Sequence, residues 1–477
     1  MTRIEINDAI HRTIVLSGSE EEVLGHPYVQ RLRFIRQLGF VSLVYPSATH
    51  DRFSHSLGTL HVVSILLRQL LLNDDYSVLT RTLTEEEKMF VTRIVRLAAL
   101  LHDIGHAPFS HTAEKAMPSV SSLGLPPEWL RFPREDRRAR HEDYGVLFLR
   151  EMSRGPDSVF DKDEAEILAS LIHHKKIKPP GSWTRHFSGL INASSLHRLA
   201  RSFVSGDLDA DRMDYLLRDA HFAGVAYGQF DLPWLISNLG VVKDGEEYIL
   251  SISDGGIHAL EHYLFARYNM YTQVYMHKTV KCFEYYFQRA LDEGELAYQI
   301  PARAEDFAAL RDATLTEALF DAASRRPLSW AGRLVRRDPA KRIARIWDRE
   351  DKVRPLFTQL SQELFHYGVR PFLHFSKTKF LDLENPGTER RGDGTPSSLF
   401  GGLATIPLMV VRTHFGVVSL ASLADYAFVL KRYHEDIMIG DIYVLRDEYE
   451  AHREVVMRVV KKYRTMSPSE KIIKEEL

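Results

Sequence analysis

The segment Leu97–Glu114, LAALLHDIGHAPFSHTAE, constrains the fold of this chain more than any other. Its first half is apolar at helical spacing, which predicts a buried helix that closes with His102 and Asp103. Gly105 is a natural helix stop, and Pro108 prevents continuation. The sequence therefore predicts a rigid core helix that presents an imidazole and a carboxylate at its end, a pair that suits a divalent metal.

More polar side chains follow directly after this helix. His106 and His111 lie within nine residues of His102, and a second helix is predicted to begin near Ser110. His111 and Glu114 then share a helical face at positions i and i+3, where the carboxylate can orient the imidazole and stabilise its charge. Taken alone, a His-Asp dipeptide is also common at a solvated helix end, which is the structural alternative.

Two other segments supply candidate metal ligands. His55 is predicted in the first turn of a helix capped by Asp51 or Ser54, where the helix dipole favours a neutral imidazole; a surface histidine is the alternative. Asp211 lies in SGDLDADRMDYLLRDAH, where aspartates crowd a helix start in a number that capping does not require. The predicted donor set offers a divalent ion two imidazoles and two carboxylates, from His55, His102, Asp103 and Asp211. Such a set does not distinguish Fe, Mn, Ni, Zn or Mg.

Cationic side chains surround this predicted donor set, among them Arg52, His106 and His141. A metal site, surplus positive donors and a His111–Glu114 pair are the groups that phosphoryl-bond hydrolysis requires. No glycine-rich nucleotide loop or serine-hydrolase motif competes with this interpretation.

Composition and charge limit the class of protein. Lys and Arg total 62 against 64 Asp and Glu, so no global field attracts nucleic acid or a membrane surface, and nucleic acid is not required. Cys282 is the single cysteine, which excludes an intrachain disulfide. The N-terminus lacks a signal-peptide pattern and no apolar run approaches the ~20 residues of a membrane span, so we expect a soluble cytoplasmic protein.

The predicted architecture is mainly α, with a small α+β region at the C-terminal end. Residues 1–290 are predicted to form the helical catalytic core, and residues 291–477 the α+β region with a flexible loop over 384–402. The remaining predicted elements are a hairpin within residues 1–20, a hairpin over 241–252, helices over 27–38, 257–291, 303–323 and 340–366, strands TIPLMVV and DIMIGDIYVL, and a final helix.

Seven motifs occur in one order across roughly residues 4–290: INDAIH, PYVQRLRFIRQLG, HDRFSHSLG, LLHDIGHAPFSH, RHEDYG, DADRMDYLLRDAH and VYMHKTVK. On these motifs the chain resembles the HD-domain phosphohydrolases, and most closely their deoxynucleoside triphosphate triphosphohydrolase branch. The resemblance implies an all-helical HD-domain core that hydrolyses a deoxynucleoside triphosphate (dNTP) to a deoxynucleoside and inorganic triphosphate. It also implies a homo-oligomer, with a tetramer favoured, and effector nucleotides bound between subunits.

The resemblance also implies a role for each matching residue. It places the predicted metal ligands on the family's metal ligands, and His111 with Glu114 on the general acid for the leaving 5′ oxygen. Phosphate-contacting positions match Arg52, His106, His141, Arg212 and Tyr215. Positions that read the sugar match Gln37 and Asp219, at the 3′-hydroxyl, and Tyr275, whose ring leaves little room for a 2′-hydroxyl.

Regulation is where the chain departs from the family. Asn7 and Arg33 lie in a segment that matches the family's regulatory site, but Gly25 stands where that site has an acidic residue that reads guanine, so GTP is predicted to be a poor activator. An arginine-rich stretch over 325–345 is either a second anion site or a solvated face. Two other functions stay open: hydrolysis of another nucleotide or phosphomonoester, and a nucleotide-binding sensor with little turnover.

Overall fold

The computed structural model describes residues 4–73, 77–129, 136–173, 179–190, 192–348, 350–378, 409–414, 417–422 and 437–466. Helices dominate these residues, which confirms the predicted mainly α class. The α-helices are Gly18–Gly25, Pro27–Gln30, Arg52–Leu72, Leu79–Thr82, Glu85–Leu101, His141–Met152, Lys162–Ile172, Gly181–His186, Ala193–Ser202, Ala210–Ala223, Leu232–Ser237, Ile257–Met270, Lys278–Asp292, Ala304–Ala308, Asp312–Arg325, Trp330–Val335, Glu350–His366, Arg446–Ala451 and Arg453–Met466. Short 3₁₀-helices cover Arg31–Phe34, Gly39–Leu43, Ser110–Ala116, Val120–Leu123, Pro127–Trp129 and Asp254–Gly256.

The helix Arg52–Leu72 runs through the centre of the fold. Its start is fixed by Asp51, whose Oδ1 accepts a hydrogen bond from the backbone N of Ser54 at 2.8 Å. It packs against the helices Glu85–Leu101 and Ala210–Ala223. Its length and mean hydropathy of 1.2 match a membrane span, but 67% of its most apolar window is buried in the protein, as in a core helix. The prediction that no apolar run reaches this length is therefore wrong.

The helix Glu85–Leu101 begins and ends as its sequence predicts. Thr84 and Glu87 form a reciprocal capping box, with the Thr84 backbone N donating to Glu87 Oε2 at 2.8 Å. At the other end a β-carbon on Gly105 would collide with the carbonyl of His141 and the backbone of Gly145. Only glycine therefore lets the turn after the helix pack directly on the helix His141–Met152.

Three small sheets complete the described part of the fold. The strands Ile4–Asp8 and Arg12–Leu16 form an antiparallel hairpin, as predicted. A four-stranded sheet has the order Leu239–Asp244, Glu247–Ser253, Met409–His414 and Val417–Ser422, with its central pair parallel. A three-stranded antiparallel sheet places Ile437–Val444 between Lys341–Asp348 and Phe372–Thr378.

Most buried apolar side chains form one core that includes residues from Ile14 to Leu334, together with Phe372 and Tyr443. A second core lies between the three-stranded sheet and the helices Glu350–His366 and Arg453–Met466. The predicted division of the chain into residues 1–290 and 291–477 stays a prediction about folding units.

Four predicted helices differ from the structure. The helix over 303–323 is divided into Ala304–Ala308 and Asp312–Arg325. The helix over 27–38 is α-helical only to Gln30 and ends in a 3₁₀ turn at Phe34. The helix over 257–291 is interrupted by a π-helical turn, Tyr271–Tyr275, before a new helix begins at Lys278. Residues 341–348 form a strand, because pairing with Ile437–Val444 overrides their helical propensity. The predicted loop over 384–402 lies outside the described residues.

Candidate active site

Three helix ends meet at the predicted metal ligands. His55 stands in the first turn of Arg52–Leu72, His102 and Asp103 follow Glu85–Leu101, and Asp211 opens Ala210–Ala223. One donor atom from each of His55, His102 and Asp211 lies within 4.8 Å of the others. Asp103 completes the set, because its two oxygens lie 3.4 Å from His102 Nε2 and 3.7 Å from His55 Nε2.

The two imidazoles are oriented as in metal ligands. His102 Nδ1 lies 2.8 Å from the carbonyl of Ala99, to which it donates, whereas its buried Nε2 has no hydrogen-bond partner among the described residues. His55 Nδ1 lies 2.7 Å from Asp214 Oδ2, and its Nε2 faces Asp211 Oδ1 at 3.0 Å. Each ring therefore uses one nitrogen for a protein hydrogen bond and turns the other toward the carboxylates. This arrangement fits a divalent cation.

Asp214 supports the donor set from behind, a role that the sequence interpretation missed. Its carboxylate accepts hydrogen bonds from Arg218 Nε and Nη2, both at 2.9 Å, and lies 2.6 Å from His11 Nε2. Arg218 also donates to Asp8 at 2.8 Å, so the N-terminal hairpin joins this buried network. The spacing of Asp211, Asp214 and Arg218 on one helical face was the available signal.

Arg52 lies against the donor set instead of projecting into solvent. Its Nη1 pairs with Asp103, and its Nε donates to Ser110 Oγ at 2.9 Å. Burial raises the pKa of the Asp103 carboxyl, but the charge of Arg52 is the first of the influences that outweigh it and hold that pKa well below its usual value. Asp103 is therefore ionised, as a metal ligand must be.

The predicted acid pair is present and includes a third residue. Glu114 Oε1 lies 2.9 Å from His111 Nδ1 and 2.6 Å from His141 Nδ1. Burial raises the pKa of the Glu114 carboxyl, but the charges of His141 and His111 outweigh it and hold that pKa well below its usual value. Burial lowers the pKa of His141, but Glu142 and Glu114 outweigh it and raise that pKa to about 9. His111 is exposed, so an ionised Glu114 orients an imidazole that can reach a bound substrate.

His106 lies between this acid cluster and the donor set. Its Nε2 is 3.2 Å from Asp103 Oδ1, and its ring stacks on His141 with centroids 3.9 Å apart and planes inclined by 13°. Burial, Arg52 and His141 hold its pKa well below the usual value, so the ring is neutral. Donor atoms of His106, His111, Glu114 and His141 also lie within 4.8 Å of one another. Because the His106 and His141 rings stack, their nitrogen lone pairs lie in nearly parallel planes and do not converge on one ion.

A second wall of the site carries the predicted sugar-reading residues. Tyr275 Oη donates to Asp219 Oδ2 at 2.6 Å, and His50 Nε2 lies 2.8 Å from Asp219 Oδ1. His50 was not predicted; its carbonyl also accepts a hydrogen bond from the backbone N of Gln37 at 3.0 Å. The side-chain oxygen of Gln37 is buried without a hydrogen-bond partner. Tyr215 connects this wall to the metal ligands, with its ring centroid 6.1 Å from that of Tyr275 and 6.4 Å from that of His55.

Two buried arginines lie beside Tyr215. Burial raises the pKa of Tyr215 to about 12, against the opposing charges of Arg212 and Arg267. Arg212 pairs with Asp209, and its Nε has no hydrogen-bond partner. Arg267 Nη1 lies 3.6 Å from Asp207 Oδ1, an ion pair too long for a hydrogen bond, and it makes no hydrogen bond to the other described residues. Arg267 was not predicted as a site residue.

The predicted regulatory residues lie apart from this site. Asn7 pairs with Thr13 in the N-terminal hairpin. Arg33 is exposed, and its guanidinium carbon lies 3.5 Å from the ring centroid of Phe53. Neither residue joins the donor cluster, and their regulatory role stays a prediction.

Comparison with known protein families identifies the domains that carry this site. The HD domain matches residues 52–219, which include the four predicted metal ligands, and the HD associated region matches residues 230–363. The chain therefore contains an HD domain followed by an HD associated region. HD domains belong to metal-dependent phosphohydrolases, in agreement with the donor groups described above.

Some sequence relatives of this HD-domain protein are named for an activity, and others are uncharacterised. An uncharacterised protein of Methanocaldococcus jannaschii is 34% identical over 60% of this chain and 49% of its own length. The deoxynucleoside triphosphate triphosphohydrolase SAMHD1 homologue of Dictyostelium discoideum is 29% identical over 63% of this chain and 51% of its own, and human SAMHD1 is 26% identical over 57% and 42%. The chain thus spans about half the length of the curated relatives that it matches.

Two solved structures share the whole fold. A hypothetical protein from Aquifex aeolicus covers 95% of this chain and 99% of its own, with a TM-score of 0.67 and 24% identity. A phosphohydrolase from Bacteroides thetaiotaomicron covers 93% and 100%, with a TM-score of 0.63 and 23% identity. At these identities the likeness supports the fold alone.

Proposed function

We propose that this HD-domain protein hydrolyses the bond between the 5′ oxygen and the α-phosphorus of a dNTP, releasing a deoxynucleoside and inorganic triphosphate. The observation that carries the proposal is the exposed His111, held by an ionised Glu114 beside the four-residue donor set. Phosphohydrolase chemistry follows from the HD domain, and the dNTP substrate is supported by the resemblance to SAMHD1 proteins.

The acid cluster explains how the leaving group departs. The 5′ oxygen of a deoxynucleoside is a poor leaving group unless it receives a proton as the bond breaks. Glu114 stabilises the protonated imidazole of His111 and fixes its orientation through Nδ1, so that Nε2 can donate the proton. His141 shares the same carboxylate oxygen and holds Glu114 in place.

The four-residue donor set suits attack of water on the α-phosphate, on the side opposite the leaving group. A divalent ion held by His55, His102, Asp103 and Asp211 would supply Lewis acidity at the α-phosphate and favour deprotonation of the attacking water. Arg52, fixed by Asp103 and Ser110, holds positive charge next to the reacting phosphate without needing to rearrange.

The rest of the substrate has matching partners. Among the described residues, Arg212 Nε has no hydrogen-bond partner and Arg267 Nη1 has only its longer ion pair with Asp207, which suits contacts of both to triphosphate oxygens. Gln37 likewise keeps an unpartnered oxygen, which suits a sugar hydroxyl. Tyr275, fixed by Asp219, would pack against the sugar and restrict space for a 2′-hydroxyl. These contacts favour deoxyribonucleotides over ribonucleotides.

Product analysis tests this function. The protein is incubated with Mn²⁺ and each of the four dNTPs, the four NTPs, deoxynucleoside monophosphates and p-nitrophenyl phosphate, and the products are separated by anion exchange. We expect deoxynucleoside and inorganic triphosphate from at least one dNTP. Release of orthophosphate from a monophosphate would instead identify a phosphomonoesterase, and nucleotide binding without turnover would identify a sensor.

Substitution of His111 tests its role as the general acid. His111→Ala should keep Mn²⁺ and nucleotide binding and lose about 10²–10⁴-fold in turnover, since general acid catalysis contributes that much. Glu114→Gln should lose less, because the imidazole remains but is no longer stabilised as a cation. Unchanged turnover in His111→Ala would move the acid role to another residue, with His106 the next candidate.

We also propose that the protein is a cytoplasmic homo-oligomer, with a tetramer favoured, that responds to an effector nucleotide. The support for assembly is the similarity to SAMHD1 proteins. A basic cluster at the start of the helix Lys278–Asp292 could hold an anionic effector: burial, together with the charges of Lys278, Arg342 and Arg345, lowers the pKa of His277 to about 4. Asp441 accepts from Arg345 Nε at 2.8 Å and partly offsets this charge.

Regulation is tested by mixing nucleotides. Hydrolysis of one dNTP should depend on a second, and Arg33→Ala or Arg342→Ala should weaken that dependence without changing Mn²⁺ content. Sedimentation with and without dNTPs measures assembly. A fully active monomer would refute the proposed homo-oligomer. Strong saturable activation by GTP alone would refute the prediction that Gly25 makes GTP a poor activator.

A further inference from the structure

The turn before His111 has an unusual backbone. Phe109 and Ser110 have φ angles of 54° and 56°, so two consecutive side-chain-bearing residues occupy the left-handed region. Their β-carbons crowd the following carbonyls in this conformation, which is why glycine or asparagine is usual there. Such strain persists only where surrounding groups hold the backbone, and it is frequent at functional sites.

Asp312 is the group that holds this turn. Its Oδ1 accepts a hydrogen bond from the backbone N of Phe109 at 2.9 Å. Its Oδ2 accepts one from the backbone N of Arg36 at 3.0 Å. Asp312 is 8% exposed, so no bulk water replaces these two bonds. One buried carboxylate therefore joins two loops that are 73 residues apart in the sequence, from Arg36 to Phe109.

The same two loops are joined again around Ser110. Ser110 Oγ donates to the carbonyl of Arg36 at 2.9 Å and accepts from Arg52 Nε at 2.9 Å. Gly39 lies against the turn, because a β-carbon there would sit 3.2 Å from the carbonyl oxygen of Phe109. The loop that carries Gln37 and the turn that carries His111 thus form one unit, with Asp312 on its inner side.

We propose that Asp312 is a positioning residue for the reaction: it fixes the left-handed turn at Phe109–Ser110 and thereby sets where His111 meets the leaving oxygen. This inference rests on the proposed function of His111. Asp312 opens the helix Asp312–Arg325, which lies in the HD associated region and not in the HD domain itself. The associated region therefore contributes directly to the geometry of the active site.

The test compares Asp312→Ala and Asp312→Asn with Asp161→Ala as a matched control. Asp161 accepts one backbone hydrogen bond at 2.7 Å, from Glu164, at the start of a helix that carries none of the assigned site residues. For the dNTP that the wild type cleaves, Asp312→Ala should lower kcat by about 10²-fold, the cost of a displacement near 1 Å, with KM changed far less. Asp312→Asn, whose amide can satisfy one of the two backbone donors, should lie between Ala and wild type. Asp161→Ala should keep the wild-type kcat.

A second readout does not depend on activity. Amide hydrogen exchange of the peptide over residues 104–116 should accelerate in Asp312→Ala and stay unchanged in Asp161→Ala, with Mn²⁺ content equal in all variants. If the wild type cleaves no dNTP, the proposed function is refuted. Amide hydrogen exchange alone then tests whether Asp312 holds the turn at Phe109–Ser110. A kcat per folded molecule within twofold of wild type, in either Asp312 variant, overturns the positioning role, as does unchanged exchange over 104–116. Asp312→Asn keeps the test valid if Asp312→Ala does not fold.

Discussion

Replacing Gly58 with alanine should weaken metal binding as well as the stability of the fold. Gly58 lies in the helix Arg52–Leu72, one turn from His55, and a β-carbon there would collide with Asp214 Oδ1 and Arg218 Nη2. Asp214 has no free direction in which to move. Its oxygens are engaged by Arg218 at 2.9 Å, by His55 Nδ1 at 2.7 Å and by His11 at 2.6 Å. The new methyl group must therefore displace the carboxylate that orients His55.

The two expected effects can be expressed on the same free-energy scale. Alanine in a helix interior gains about 0.5–1 kcal/mol over glycine, whereas overpacking a buried site costs about 1–3 kcal/mol. The free energy of unfolding of Gly58→Ala should thus fall by no more than about 2.5 kcal/mol. Loss of a supporting hydrogen bond behind a metal-binding histidine typically lowers metal affinity by about 10–100-fold. That loss of affinity corresponds to about 1.4–2.8 kcal/mol, so metal binding and folding should weaken by similar free energies.

The assay pairs urea unfolding with Mn²⁺ titration calorimetry on chelator-treated protein. Gly145→Ala is the matched control, because it also lies inside a helix and its β-carbon would meet only Ile104 Cγ2 at 3.8 Å, an ordinary contact. Gly145→Ala should keep wild-type affinity and lose no stability. The reasoning is refuted if Gly58→Ala binds Mn²⁺ within twofold of wild type, or if both variants lose affinity equally.

Three further predictions concern separate groups. Burial, with Arg201 and Arg198, lowers the pKa of His197 to about 3, so the folded state binds this proton less readily than the unfolded chain. Stability should then fall by about 1.4 kcal/mol per pH unit from this group as pH drops below 6.5, and His197→Gln should flatten urea-unfolding midpoints between pH 7 and 5. Asp211→Ala should lose bound metal and activity but keep its fold, and full occupancy by elemental analysis would remove it from the ligand set. Arg267→Ala should raise KM for the dNTP more than Arg267→Lys does, whereas equal KM values in steady-state kinetics would argue against a phosphate contact.

Local patterns predicted most of the catalytic elements. Asp51 caps a helix that begins at Arg52, and the helix before His102 ends where Gly105 predicts. The pairing of His111 with Glu114 follows from a spacing of three residues. These features need interactions only among near neighbours in the chain, so the sequence contains the information for them.

Features that join distant segments were missed or mistaken. Asp214 supports His55 across 159 residues, and Asp312 reaches Phe109 across 203. The strand Lys341–Asp348 exists because Ile437–Val444 pairs with it. The π-helical turn Tyr271–Tyr275 interrupts a predicted helix in the segment that brings Tyr275 to Asp219.

The sequence by itself determined which residues stand at each helix end and which chemistry they offer, because capping and helical spacing act over a single turn. The tertiary structure alone decided which of these ends meet and which buried groups hold them. A buried carboxylate such as Asp214 or Asp312 is stable only where packing brings hydrogen-bond donors to it. That condition depends on the whole core and not on the residues next to it in the chain.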